Sequence, residues 1–366
     1  MRSTVGPRVS GAPAPPGPLP PRGGRGRVAA RGSGRRAWGQ WLAALLVSGG
    51  ILAFLFVSSE VDPRALGPLI GAISLPGLGA FLLVSFAALV LRTLRYWVLL
   101  ERRAGLWPLA LVTLVRNLFV DLVPARAGAV ASYLYLVTAR LGLPAEAAIA
   151  SFALSFVLDT LALAPLLLLA VLVVGSAPLP PLALAGGGLL LLLGSGAALL
   201  LLPPALRLGA AAAAGLPGRL AAAAAPLARA ADEVRRLDVR RVLMPALALS
   251  LLLRLAKYGA YYCLLQALLV GQGQAWGSLD FLRVFLSVAG AELAASLPLP
   301  TLASLGPYEA AGAVGFAYWL GLPRDLAALA ATAFHGLSQL HDYGLGLLAL
   351  LVIMAPGMRP RENRDR

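Results

Sequence analysis

The strongest constraint on the fold is a set of apolar segments that each reach the length of a membrane-crossing helix. Such a helix needs about 20 apolar residues. Six segments of the chain satisfy this requirement, namely 39–58, 76–98, 145–174, 183–203, 242–269 and 326–354. With 59% hydrophobic and only 13% charged residues, the 366-residue chain has too little polar surface for a water-soluble globule. We therefore predict an all-α polytopic membrane protein and exclude both a soluble and a disordered chain.

The positive charge is concentrated outside these segments. The formal net charge is +15, and nearly all of it lies in 1–36, 207–241 and 359–366. This distribution indicates membrane topology rather than nucleic-acid binding, and the positive-inside rule places both termini in the cytoplasm. We predict a disordered Arg/Pro/Gly-rich tail (1–37), a transmembrane domain (38–355) with a cytoplasmic or interfacial loop (204–241), and a second tail (356–366). Within the loop, the Ala-rich run 209–236 is predicted to form an interfacial helix.

Two regions of the transmembrane domain contain helices that are interrupted. In the first, the segments 107–123 and 127–139 flank a break that contains Pro124, Arg126 and Gly128. In the second, the segments 281–297 and 310–320 flank a break that contains Gly306 and Pro307. Each piece is short for a membrane span, and broken backbone at membrane depth is tolerated only inside protein or beside a cavity. We therefore predict two re-entrant hairpins of half-helices.

The two interrupted regions end in similar sequences. Gly142–Pro144 and Gly321–Pro323 both read Gly-Leu-Pro, and each precedes a long apolar segment that begins with an acid in its first turn. We predict repeat units over 105–175 and 275–355. By the charge rule the first unit starts inside and ends outside, whereas the second runs the opposite way. Inverted repeats with broken helices are an architecture of secondary transporters.

Ionisable residues inside apolar segments are candidates for function because each costs about 3 kcal/mol or more. Arg126 lies in the first break, where it is expected either to bind an anionic head group or to cap broken backbone carbonyls. Glu309 lies in the second break, where it either pairs with a base, binds a proton or serves as a helix N-terminal acid. Asp159 has no cation one turn away on its own segment, so it needs a partner from another helix or a proton.

Other charged residues suggest weaker candidates. Arg92, Arg95, Arg102 and Arg103 gather at one end of the segment 76–98, where snorkelling to the interface explains them best, with phosphate binding as the alternative. Arg254 and Lys257 lie deeper and are better candidates for a cavity. Glu292 and Asp121 are similar acids nearer to helix ends. We expect His335 and His341 to be hydrogen-bonded packing residues rather than a proton relay.

The sequence lacks the patterns of known catalytic and cofactor sites. One cysteine, Cys263, and two histidines exclude a disulfide framework and leave little room for a metal site. There is no phosphate-binding Gly-rich loop, no H-E-x-x-H and no G-x-S-x-G. We therefore predict no catalytic residues, no metal and no cofactor, and we do not expect an enzyme.

Several of these motifs resemble the transmembrane region of lysylphosphatidylglycerol synthases and their free-standing flippase-like relatives. The resemblance covers about 40–355 and rests on R-x-x-R-[YW], on the break N-x-x-x-x-x-x-P-x-R-x-G and on a late G-x-x-E. The matching positions are Arg92, Arg95, Asn117, Pro124, Arg126, Gly128, Asp159, Gly306 and Glu309. The family often has an acid and a base where this chain has Ala129 and Ser132, and an Arg near His335. Its substrate coordination is therefore expected either to differ or to be lost.

The resemblance implies movement of lipids or lipid-linked molecules between leaflets. It does not imply aminoacyl transfer, because no segment of the chain corresponds to the soluble synthase domain. We expect a flippase in a bacterial-type inner membrane, with anionic or lipid-linked lipids as partners. Arg126 and nearby basic groups would bind the head group, and Glu309 or Asp159 would gate or couple. The alternatives are a membrane-embedded lipid-modifying enzyme and a non-catalytic subunit of a lipid or envelope biosynthesis complex.

Overall fold

The protein is described by a computed structural model that covers residues 29–122, 127–174, 181–297, 299 and 301–355. These residues contain α-helices and no strand. In chain order the α-helices α1 to α12 are Ala29–Ser58, Leu66–Gly71, Leu75–Leu99, Leu106–Leu122, Ala127–Ala139, Ala145–Val174, Pro181–Ala214, Ala224–Arg236, Met244–Val270, Phe281–Ala295, Pro307–Leu320 and Arg324–Met354. The chain divides into two units, Met1–Leu42 and Ala43–Arg366. All contacts discussed below lie within the second unit.

Four helices are long and apolar enough to cross a membrane. They are α3, α6, α12 and the part of α7 from Leu189 to Ala214. The stretch Ala44–Ser58 of α1 passes the same test only together with Pro63–Gly71, to which it is bent by 93°. The segment 242–269 is helical as α9, which contains Arg254, Lys257 and three tyrosines and is not among the helices that pass this test. The predicted all-α polytopic membrane protein is therefore confirmed.

The predicted helix boundaries are wrong at the Ala-rich loop. α7 does not stop at 203 but continues through Pro203 and Pro204 to Ala214. The run 209–236 is consequently not one helix, because α7 is followed by a 3-10 turn, Gly218–Ala223, and then by α8. α8 buries Ala230, Ala231 and Val234 and leaves its arginines outside, which is the amphipathic pattern of an interfacial helix.

Both predicted hairpins are present as pairs of short helices that pack against each other, α4 with α5 and α10 with α11. The long helix after each pair follows a glycine in the left-handed conformation, Gly142 (φ +67°) and Gly321 (φ +68°). The two predicted repeat units, 105–175 and 275–355, also pack against each other, because α4 contacts α12 and α10 contacts α6. Element order, glycine conformation and exchanged packing all agree with the predicted repeat. Its inversion across the membrane remains a prediction.

One end of the bundle collects the charged segments that the sequence assigns to the cytoplasm. Arg103, which follows α3, lies 2.9 Å from Glu233 of α8, and Arg229 of α8 lies 3.4 Å from Glu146 at the start of α6. Arg140 contacts Met354 at the end of α12. The start of α3 lies at the other end of the bundle, where the Ser74 N–H donates to the Ala267 carbonyl. The structure thus separates the two ends as the charge pattern predicts.

Candidate functional site

A buried ion pair joins α3 to α6 in the interior of the bundle. Arg95 Nη1 lies 2.6 Å from Asp159 Oδ1, and Nη2 donates to Oδ2 at 3.3 Å. Nη1 also donates to Ser250 Oγ of α9 at 3.2 Å. Asp159 therefore has the partner from another helix that the sequence required. The snorkelling prediction is wrong for Arg95, because its side chain is only 1% exposed and points into the bundle.

The network continues along α9 to α10. Arg254 Nε lies 3.6 Å from Asp159 Oδ1, and Lys257 Nζ pairs with Glu292 Oε1. The Tyr258 hydroxyl donates to Glu292 Oε2 at 2.9 Å. The side chains of Arg254, Lys257, Asp159 and Glu292 are 15–23% exposed, unlike that of Arg95. These groups therefore border accessible space within the apolar bundle.

Two further arginines lie beside this network. Arg92 on α3 is half-buried, and its electrostatic neighbours include Arg116, Asp159 and Asp342. Arg116 on α4 contacts the face of Phe152 and donates to Asn117 Oδ1 at 3.2 Å. Sequence reasoning missed Arg116, although an arginine within the apolar segment 107–123 is the same signal that singled out Asp159.

A second buried site lies where α11 begins. Glu309 Oε1 is 2.6 Å from His335 Nδ1, and both side chains are at most 2% exposed. Glu309 Oε2 accepts from the Gly306 N–H at 2.7 Å. The other ring nitrogen of His335 lies 2.9 Å from the Gln339 amide, and the Tyr308 ring stacks on the imidazole at a centroid distance of 4.0 Å. Two of the three sequence interpretations of Glu309 agree with this geometry, since it pairs with a base and also caps its helix. Proton binding stays a prediction.

The backbone before α11 is held in an unusual conformation. Ala303, Ser304 and Gly306 all have positive φ, and at Gly306 it reaches +99°. A Cβ on Gly306 would lie 2.8 Å from Ile51 Cβ of α1. The Leu302 N–H donates to Ser48 Oγ of the same helix at 2.9 Å. α1 therefore supports the loop that aims Glu309 at His335.

The remaining predicted site residues either lie apart from these two sites or fall outside the described residues. Pro124 and Arg126 lie outside the described residues, and so does the side chain of Asp121. Gly128 is half-buried near the start of α5, and Asn117 contacts Arg116. Arg102 and Arg103 are exposed beyond the end of α3, as the snorkelling prediction requires. Within the part of the chain that the structure describes, no group of three His, Cys, Asp or Glu side chains suits a metal ion.

Fold and site together define a multi-pass α-helical membrane protein with paired short helices and a charged interior. Residues 41–346 match the family described as lysylphosphatidylglycerol synthase TM region. The match covers most of the chain, so the chain belongs to this family, as its motifs predicted. No curated protein and no solved structure matches the chain.

Proposed function

We propose that this protein moves a lipid or a lipid-linked molecule between the leaflets of a cell membrane. The observation that carries the proposal is the charged network of α3, α6, α9 and α10, which is partly accessible inside an apolar bundle. A polar head group that crosses a bilayer needs polar partners at membrane depth, and lipid tails offer none.

Stability alone is a weak reason to retain such a network. Replacing a buried ion pair by apolar residues of similar volume is often neutral or stabilising, because desolvation offsets the attraction of the charges. Arg254 and Lys257 also remain partly exposed, which a purely structural bridge does not require. Contact with a transient polar ligand explains both the charges and their accessibility.

The repeat supports the same proposal. Two units of broken and long helices pack into each other through α4 with α12 and α10 with α6. In secondary transporters, rocking of one such repeat against the other exposes a site alternately to the two sides. The charged network includes residues of both repeat units, on α6 and α10, so such a motion would change the access to it from either side. This part of the argument is an analogy of architecture.

The direct test is lipid exchange in vesicles that contain the purified chain. Fluorescent lipids with several head groups are incorporated, and a membrane-impermeant quencher reports the fraction left in the outer leaflet over time. We expect at least one head group to equilibrate faster than in empty vesicles. If no head group is accelerated, the proposal is refuted.

Arg254→Gln tests whether the network takes part. Asp159 keeps its closer partner Arg95 in this variant, so the fold should survive. We expect exchange to slow at least severalfold. Arg235→Gln, which removes an exposed arginine of α8, serves as the matched control and should leave the rate unchanged. Equal rates for both variants would place transport elsewhere.

The roles of Arg126 and Glu309 in binding and coupling remain sequence-based proposals with their own test. Exchange that persists unchanged in both Arg126→Ala and Glu309→Ala would overturn them. A lipid-modifying enzyme or a biosynthetic subunit is the competing function. A comparison of extracted lipids from deletion and parent cells separates it, because only loss of synthesis removes a lipid species outright.

The proposed location is the inner membrane, with both termini and α8 in the cytoplasm. In a Cys263→Ala background, a cysteine is introduced in place of Arg235 or Ser278, which lie at opposite ends of the bundle. A membrane-impermeant thiol reagent added to intact cells should label the Ser278→Cys variant only. Labelling of the Arg235→Cys variant instead would reverse the orientation.

A further inference from the structure

The charged interior has more cations than acids. Six helices place five cations, namely Arg92, Arg95, Arg116, Arg254 and Lys257, in the same network as three carboxylates, namely Asp159, Glu292 and Asp342. Among the side chains that the structure describes, the network therefore has a surplus of two positive charges.

Arg92 and Arg116 are the cations of this network that have no ion pair among the described side chains. Asp159 pairs with Arg95 and Arg254, Glu292 pairs with Lys257, and Asp342 lies beside His341. No described carboxylate lies within ion-pair distance of Arg92 or Arg116. Arg116 makes one hydrogen bond, to the neutral amide of Asn117, and its buried Nε has no acceptor among the described atoms. A guanidinium left unpaired away from water is costly unless an anion completes it.

The two unpaired arginines lie on helices that pack against each other, α3 and α4. Arg116 is also among the electrostatic neighbours of Arg92. Both are half-buried rather than enclosed, so a ligand can reach them. A guanidinium presents its N–H groups as a fork that fits phosphate oxygens in pairs, and two neighbouring forks favour an oxyanion between them.

We propose that Arg92 and Arg116 bind the phosphate of a lipid head group whose net charge is negative. Lipid, rather than free phosphate, is the proposed occupant because α3 and α12, which flank the site, carry exposed leucines that lipid tails could contact, namely Leu82, Leu83, Leu347 and Leu348. A zwitterionic head group would add a cation to a site that already has a surplus of positive charge, and an aminoacylated head group would add more. The site therefore selects anionic lipids. Only the purpose of this binding, the selection of lipids for transport, rests on the proposed function.

Binding is measured with the purified full-length chain in neutral detergent micelles. A fluorescent phosphatidylglycerol is the probe, and soluble short-chain phosphatidylglycerol, short-chain phosphatidylcholine and inorganic phosphate are the competitors. We expect short-chain phosphatidylglycerol to compete about tenfold better than phosphatidylcholine. Equal competition by the two lipids would overturn the proposal. Inorganic phosphate that competes as well as the short-chain anionic lipid would overturn the assignment to lipid.

Variants then assign the preference to the two arginines. Arg92→Gln and Arg116→Gln should each weaken phosphatidylglycerol binding about tenfold and leave phosphatidylcholine binding unchanged. Arg116→Lys keeps the charge and loses the fork, so an intermediate loss is expected. Arg102→Gln, an exposed arginine beyond the end of the same α3, is the matched control and should bind as the parent does. Loss of preference in Arg102→Gln alone would overturn the site.

Thermal unfolding in the same micelles shows whether the Arg92→Gln and Arg116→Gln variants are folded as stably as the parent. Because Arg92 and Arg116 lack carboxylate partners among the described residues, their glutamine variants should unfold at or above the parent's temperature. A marked drop for both would show that they are structural, and the proposal would fail. A binding preference without lipid exchange in vesicles would support this site and refute transport. Exchange of all head groups at one rate would support transport and refute the selective site.

Discussion

Two acids in the interior of the bundle, Asp159 and Glu309, are partnered in chemically different ways. Asp159 faces two guanidiniums, Arg95 and Arg254, which remain charged at any physiological pH. Glu309 faces an imidazole and a backbone N–H. The first site therefore joins a carboxylate to permanent positive charges, whereas the second joins a carboxylate to hydrogen-bond donors that need not be charged.

This difference assigns different tasks to the two sites in the proposed transport. The Asp159 site holds α3, α6 and α9 together and gives the interior its charge. The Glu309 site joins α11 to α12, and we propose it, ahead of Asp159, as the site that gates or couples. The following predictions test the contrast in order of expected effect.

Asp159→Asn should be the most damaging change. It leaves Arg95, which is 1% exposed, without its carboxylate, and breaking a buried pair in this way costs about 3–5 kcal/mol. Thermal unfolding in detergent measures the loss. Combining it with Arg95→Gln should recover much of the stability, because the uncompensated charge is then gone. A double variant as unstable as the sum of the single variants would show that the two residues do not interact.

Gly306→Ala should rank second. The residue has φ of +99°, and a Cβ would lie 2.8 Å from Ile51 Cβ, so strain and overpacking together are expected to cost about 1–3 kcal/mol. Gly336→Ala on α12 is the control, since nothing lies within 4 Å of its Cβ and alanine favours the helix. Gly336→Ala should match or exceed the parent in unfolding temperature. If Gly306→Ala did so as well, the loop would not be constrained as described.

Glu309→Gln should be milder than Asp159→Asn. The amide can still accept from the Gly306 N–H and bond to a neutral His335, so no charge is left unpaired. A loss of about 1 kcal/mol is expected, the usual contribution of a hydrogen bond. The same unfolding assay applies. A loss as large as that of Asp159→Asn would mean that the Glu309 site is also a fixed ion pair.

Arg207→Gln should have the smallest effect. The Arg207 guanidinium, which donates to Asp232 at 2.7 Å, holds the pKa of that carboxyl below its usual value. A lowered pKa contributes stability at neutral pH that disappears as the pH falls through it, but both side chains are exposed and solvent screens the pair. No change in unfolding temperature at pH 7 is expected. A clear decrease would show that α8 is held to α7 more tightly than its exposure suggests.

The sequence predicts the helices better than it predicts their partners. Apolar length located the segments of α3, α6 and α12, and the repeat suggested by the Gly-Leu-Pro pair stays a prediction. The end of α7 was predicted wrongly: the apolar segment 183–203 ends too early, because the helix continues through Pro203 and Pro204. Packing between helices that are distant in sequence, such as α4 on α12, cannot be predicted from composition.

The site was predicted in its residues but not in its arrangement. Asp159, Glu309, Arg254 and Lys257 were found because charge in an apolar segment is costly. Arg95 was misassigned to the interface because it lies one turn from a helix end, where a long side chain can point either way. Which cation meets which acid depends on the packing of α3, α6 and α9, and a single sequence does not determine it.

The central claim is that a lipid head group crosses the membrane through the charged interior. The most direct measurement is the initial rate at which fluorescent phosphatidylglycerol leaves the outer leaflet of vesicles containing the parent chain, the Arg254→Gln variant or no protein. The account predicts a fast rate for the parent and a rate near that of empty vesicles for the variant. A parent rate equal to that of empty vesicles, or a variant rate equal to the parent's, would contradict it.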